Sequence, residues 1–402
     1  MRKKLTLLIL ISFVALAGVA QNNTSSPYSR FGYGELNDNV PGAYRAMGGV
    51  GLAMRNSRVI SLANPASISS CDSLTFMLDL AASGMWENYK DATGRRNKAN
   101  GNLEYLNLQF PIWSPYIAFA LGVSPYSVVG YDFQMSDSIN SSRHYQTSYY
   151  GEGGITQVYG GLGVNLFKWV ALGVNLYYMF GDVTNARALT FTEADYRSVV
   201  EITNLHVSDI RLRYGLQLFH TFGKHSVSLG GIFEKKSDLN CYYTIIESTS
   251  LDTIPIIEGF DLPMVYGGGV AYSFDNRLSV SAEVMFTDWQ RVRYKGETNM
   301  LRSRMKISAG AEYRHQMGSR KYVENMPFRV GFSLSDSYLP GVATKDYSVS
   351  IGVGFPLHNV ATVINTSLEY NHRGSSATLQ DNSLKLTISA SISETWFFKR
   401  RL

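Results

Sequence analysis

The chain has 402 residues, of which 17% are charged and 13% aromatic, with a formal net charge of +5. Soluble domains carry about 25% charge, and the +2 that remains without the leader-like Arg2, Lys3 and Lys4 gives no reason to expect a nucleic-acid partner. Beyond residue 20 there is no run of about 18 apolar residues, which excludes a helical membrane protein.

Residues 1–20 combine those three charges with an apolar run and end in Gly18, Val19 and Ala20 before Gln21, the order of a cleavable signal peptide. Residues 21–72 form an N-terminal segment. Its stretch 43–70 is the only long apolar piece without strand order: Met47, Val50, Leu52, Met54, Val59, Ile60 and Leu62 cluster without a period of two around Gly48, Gly49 and Gly51. We read it as a hatch, or plug, inside the structure that follows. The two cysteines, Cys71 and Cys241, fall at opposite ends of that structure, so no bridge is expected.

From residue 73 to 402 apolar residues alternate with polar or small ones. Leu74, Phe76, Leu78 and Leu80 oppose Thr75, Asp79 and Ser83, and a polar loop holding Arg95, Arg96 and Lys98 is expected next. Leu106, Leu108, Phe110 and Ile112 then lead into the aromatic turn 113–116, and Ile117, Phe119, Leu121 and Val123 follow. The rhythm continues through a turn at 167–169, a loop expected from about 182 to 204, a turn at 223–225, a loop from about 238 to 261 and a turn at 275–277. Further segments begin near Met305, Phe328, Tyr347, Thr362 and Leu384. Fourteen strands joined alternately by short and long connections describe an all-β, antiparallel transmembrane barrel of the outer-membrane type.

Arg211, Arg213, Glu234, Glu283, Lys306, Glu312, Arg329, Glu369 and Lys385 all alternate with lipid-type residues, so they are expected to point into the lumen. A soluble sandwich also alternates. It does not account for the aromatic turns, the scarcity of charge or the last strand, which ends in Trp396, Phe397 and Phe398 like the recognition signal of outer-membrane barrels and adds Lys399, Arg400, Arg401 and Leu402.

No catalytic chemistry is legible. The histidines, at 144, 206, 220, 225, 315, 358 and 372, show no metal-ligand spacing. Gly49-Val50-Gly51 has Met54 where a dinucleotide loop needs its third glycine, and no nucleophile elbow occurs. Neither an enzyme, a metal nor a cofactor is expected.

With wall and hatch in view, the chain resembles the FadL family of outer-membrane transporters for long-chain fatty acids and other hydrophobic compounds. Asn64, Pro65 and Ala66 close the hatch; Gly122, Val123, Ser124, Pro125, Tyr126 and Ser127, with Gly130, lie in the third strand. Asp288 and Trp289 end the ninth, and Phe328, Arg329, Val330 and Gly331 lead through Asp336 to Pro340 in and after the eleventh. The resemblance implies a hatch inside a 14-stranded barrel, capture of ligand among extracellular loops, and a lateral opening at a kink in the third strand. Pro125 supports the last point independently, since a proline inside a strand withholds a ladder hydrogen bond.

The expected role is therefore passive uptake of hydrophobic compounds, fatty acids among them, across the outer membrane. Met47, Leu52, Met54, Val59, Ile60 and Leu62 are candidates for the hatch pocket, or for packing that fastens the hatch. The alternative is a barrel of the same fold serving as a non-transporting subunit or cargo carrier of an outer-membrane secretion or assembly complex, with other outer-membrane proteins as partners.

Overall fold

The computed structural model of the chain describes residues 26–90, 94–140, 143–191, 197–248, 253–256, 259–316, 318–339, 345–357, 362–374 and 379–395. The expected leader, Pro340 and the terminal aromatics at 396–398 lie outside them.

Fourteen antiparallel strands close into one barrel. The first half holds β1 (Thr75–Lys90), β2 (Arg95–Trp113), β3 (Ile117–Asn140), β4 (Arg143–Phe167), β5 (Val170–Phe191), β6 (Val199–Phe222) and β7 (His225–Glu234). The second holds β8 (Met264–Phe274), β9 (Leu278–Asp288), β10 (Arg304–Tyr313), β11 (Phe328–Asp336), β12 (Lys345–Pro356), β13 (Val363–Arg373) and β14 (Gln380–Thr395). The closing pair β14–β1 is in register from Gln380 opposite Lys90 to Thr395 opposite Thr75. Pairing of the last strand with the first leaves neither as a free sheet edge that lipid could not satisfy.

Alternation decides which face meets the membrane. Leu172, Leu176, Ile210, Leu212, Val284 and Leu386 are exposed on the outside, whereas Asn175, Gln217, Ser281, Ser308, Ser350 and Thr387 are buried inside. That inversion of a soluble protein is what a lipid-facing wall requires. The predicted lumen charges lie inside, and Arg211, Glu234, Arg329 and Glu369 are each at most 8% exposed.

Two expected loops are largely strand. Residues 182–191 continue β5, and 199–204 belong to β6. The stretch from 238 to 261 contains a hairpin, Cys241–Glu247 with Thr253–Ile256, whose first strand pairs with β6 from Glu201 to Val207. Arg95, Arg96 and Lys98, expected in a loop, begin β2. In each case the strand runs past the membrane, where both faces meet water and polarity no longer alternates. β3 shows this directly, because neighbouring residues from Gln134 to Ser138 are all exposed.

Above β7 and β8 this crown is tied by Asp261, a fully buried carboxylate that accepts from Arg293 Nη2 (2.6 Å), the Arg293 amide (2.9 Å) and Lys236 Nζ (2.9 Å). Burial alone would raise its pKa; hydrogen bonds from Arg293 and Lys236 outweigh that and hold it at about 2. The thiols of Cys71 and Cys241 are both free.

Candidate functional site

The N-terminal segment is hydrogen-bonded to side chains from strands all around the wall, among them Tyr105, Gln109, Gln217, Glu283 and Ser350. It holds two short helical turns, α1 (Gly42–Arg45) and the 3-10 turn Pro65–Ser70, joined by irregular chain. Asn64, fully buried, organises the second turn: its Oδ1 accepts from the Ala66 amide (3.0 Å), and its Nδ2 donates to the carbonyls of Leu52 (2.8 Å) and Leu216 (3.1 Å). A Cβ at Gly215 of β6 would overlap Asn64, so glycine there lets the turn touch the wall. Gly331 does the same under Gly48.

Charged wall residues fasten the rest. Arg45 pairs with Glu104 and lies 3.8 Å from Glu369. Asp38 takes both Arg304 (2.9 Å) and Lys306 (2.7 Å), while the Glu283 carboxylate accepts from the amides of Gly51 and Leu52 at 2.8 Å each. Glu234, 1% exposed, neutralises Arg211 (2.5 Å) and Arg213 together. Buried ions of this kind hold only when paired and hydrogen-bonded.

The wall itself is broken at one seam. β2 and β3 pair from Trp113 opposite Ile117, across an irregularity between Trp113 and Pro111, up to Leu106 opposite Val123, and there their pairing stops. Beyond it β3 carries a bulge between Pro125 and Ser127. Ser127, Val128, Val129, Gly130 and Tyr131 are then buried in succession, so both faces of β3 have left the lipid. The edge that β3 withdraws from β2 is taken by the N-terminal segment: Glu35 and Leu36 pair with Val128 and Ser127, the Asn37 amide donates to the Tyr126 carbonyl (2.9 Å), and Ser29 Oγ meets Gly130 (3.1 Å). On β2, Gly101 and Leu103 have partners on β1 at Gly84 and Ala82, which in turn face Leu386 and Ile388 of the lipid belt on β14. Their β3 side has no ladder partner among the described residues. An uncovered edge at lipid depth is tolerated only where it borders protein or water.

A cavity of about 220 Å³ lies behind this seam, bordered by Asn102, Leu103 and Glu104 of β2 and by Pro125 and Val128 of β3. Seven carboxylates and five Lys or Arg side chains line it. A smaller space of about 90 Å³ lies against Leu52, Ile232 and Val265. At the end with the short turns, a vestibule of about 580 Å³ is lined by Met54, Arg55, Arg58, Phe219 and Arg314 among others. Among the described residues no cluster of three His, Cys, Asp or Glu side chains is arranged for a metal.

A family model described as BamG matches residues 1–402. The chain belongs to the BamG family. No curated protein matches it. Among solved structures it is similar to CymD, a monoaromatic hydrocarbon channel, with 14% identity and a TM-score of 0.60 over 90% of this chain and 99% of that one. The toluene transporter TbuX of Ralstonia pickettii has 14% identity and a TM-score of 0.56, covering 89% of this chain and 99% of its own. The toluene transporter TodX of P. putida has 13% identity and a TM-score of 0.58, covering 90% and 100%. At such identities the likeness is one of fold: the BamG-family chain shares the barrel of these channels.

Within this BamG-family barrel the sequence-predicted residues fall into three places. Gly122, Ser124, Pro125, Tyr126 and Gly130 lie along β3 at or beside the broken seam, with Tyr126 the extra residue of the bulge. Met47, Leu52, Met54, Val59, Ile60 and Leu62 are buried in the inner segment. Leu52 borders the 90 Å³ space and Met54 the vestibule; Met47, Val59, Ile60 and Leu62 line none of the cavities described above. The family-motif residues are spread out. Trp289, 1% exposed, packs on Tyr33 and Tyr338 with ring centroids 5.5 and 5.1 Å away. Arg329 bridges Glu312 (2.6 Å) and Asn365 (2.8 Å), Phe328 faces outward, and Asp336 ends β11. Reading the sequence missed Glu35, Glu87, Arg373 and Asp381 beside the seam, because lone charges at strand ends look like loop residues.

Proposed function

We propose that the chain is an outer-membrane barrel, not an enzyme, that passes hydrophobic or amphiphilic compounds between its interior and the membrane through the β2–β3 seam. The observation that carries this reading is the uncovered edge of β2 at the depth of Leu386 and Ile388, where β3 has turned inward at Pro125. Burial of alkyl chain along such a route is worth about 0.8 kcal/mol per methylene, so no covalent step or nucleotide is needed. The inner segment acts as the hatch: residues 29–37 hold β3 open, and residues 42–70 close the lumen beneath it. The hydrocarbon channels with the same fold agree with such a role.

Replacing Pro125 with valine, together with deletion of residues 35–37, should let β3 re-pair with β2 and reduce uptake of a fluorescent alkyl probe several-fold in cells. Unchanged uptake in a correctly inserted variant would rule the route out.

A second reading has its own support. Ion pairs pin the inner segment to the wall on several sides, and among the described residues charged groups line much of the cavity behind the seam, which does not favour an apolar path through it. The barrel would then be a subunit or cargo carrier of an outer-membrane secretion or assembly complex, its free β2 edge suited to strand addition. Stable co-purification with other outer-membrane proteins in mild detergent, with uptake unaffected by the Pro125 variant, would favour this reading over transport.

A further inference from the structure

The cavity behind the β2–β3 seam is unbalanced in charge, and the imbalance is local. Its lower part is compensated: Arg45 and Lys385 engage Glu104, and Arg304 and Lys306 engage Asp38. The upper part is not. There Glu35 (3.0 Å) and Asp346 (3.3 Å) share the single guanidinium of Arg373, while two further carboxylates on the same cavity, Glu87 and Asp381, have no ion-pair partner among the described residues. Glu87 is 1% exposed, and the Asn100 amide nitrogen donates to it at 2.6 Å. Asp381 is 5% exposed and lines the cavity, and its Oδ1 accepts no hydrogen bond from the described residues. Asp346 Oδ1, also buried, likewise has no partner among them. A buried carboxylate without a partner is costly, and four carboxylates sharing Arg373, with Arg304 and His372 the other basic groups on that part of the cavity, repel one another unless a proton or a further cation neutralises the excess.

We infer that this cavity receives the ammonium head of an amphiphile whose alkyl chain lies in the seam. The head is fixed by charge: Asp381 and Glu87 supply acceptors to a group with several N–H donors, as a primary ammonium has. The chain is fixed by place, since Leu103 and Val128 border the cavity on the two sides of the seam. The same surplus of carboxylates repels a fatty acid head. This inference rests on the seam being open to the membrane, as proposed above, and it narrows the class of compound to be tried.

The test uses the full-length mature protein in nanodiscs of zwitterionic lipid. Binding of dodecylammonium, dodecanoate and free ethanolamine is measured by displacement of a fluorescent alkylammonium. Dodecylammonium should bind at least about tenfold more tightly than dodecanoate, a difference of about 1.4 kcal/mol. Both Asp381→Asn and Glu87→Gln should erode that preference. Equal or tighter binding of dodecanoate overturns the inference, as does a preference unaltered in both variants when each retains the wild-type thermal transition. Ethanolamine binding as tightly as dodecylammonium overturns the amphiphile assignment and leaves a site for small amines. The two proposals fail separately: charge preference without probe uptake refutes the transport reading alone, and uptake without charge preference refutes this inference alone.

Discussion

Two seams of the same wall have opposite designs. β8 and β9 stay in register over their whole length, from Met264 opposite Asp288 to Phe274 opposite Leu278, and outside-facing Val270 and Val284 remain exposed to lipid while Ala271 and Ser281 are buried. β2 and β3 pair only between the turn and Leu106 opposite Val123; beyond that, β3 buries both faces and takes a new partner from the N-terminal segment. Backbone pairing explains the contrast. A seam that satisfies every backbone group can only hold the wall together, whereas a seam that gives up its ladder exposes an edge, and an edge needs something to meet it.

If that contrast is right, damage on the intact side should be paid in stability. Glu234→Ala leaves Arg211 and Arg213 buried without their carboxylate, and should lower unfolding stability by roughly 3–5 kcal/mol, read from denaturant titration of the refolded barrel; a loss below about 1 kcal/mol would mean that these charges are solvated. At the broken seam the measurable effect is local. Backbone amides from 100 to 105 should exchange with solvent faster than those of β9 at the same depth, as followed by mass spectrometry, and matching protection in the two would show that β2 has a partner. The smallest effect belongs to the crown. Because the Asp261 pKa is lowered to about 2 in the folded chain, its ion pairs add stability above the ordinary aspartate value near about 4 and lose it as pH falls toward about 2. Exchange protection of residues 259–262 should therefore weaken over that window while β9 stays protected.

The barrel was legible because lipid enforces alternation: Leu172, Leu176 and Leu212 had to face out and Asn175 and Gln217 in. The reach of β5 and β6 above the membrane was not legible, since strand there has water on both sides and no periodic signal. At the seam, Pro125 announced the bulge, but nothing in a two-residue pairing such as Glu35 and Leu36 with Val128 and Ser127 can be read from sequence. Apolar clustering set residues 43–70 apart from the strands, yet could not say which of Met47, Leu52 and Ile60 pack and which border space. Shape decides that, and shape depends on wall glycines such as Gly215 and Gly331.

If the proposed route holds, membrane reaches the interior at β2–β3 and not on the β7–β8 side. A photo-reactive side chain placed at Asn102, which shares the lumen face with Ser83 and Thr387 at the uncovered edge, or at Ile232, lumen-facing beneath an intact seam, reports this directly when the barrel is illuminated in native membranes and lipid adducts are analysed. Lipid adducts are expected at 102 and none at 232. Adducts absent at 102, or equally abundant at both positions, would contradict the route.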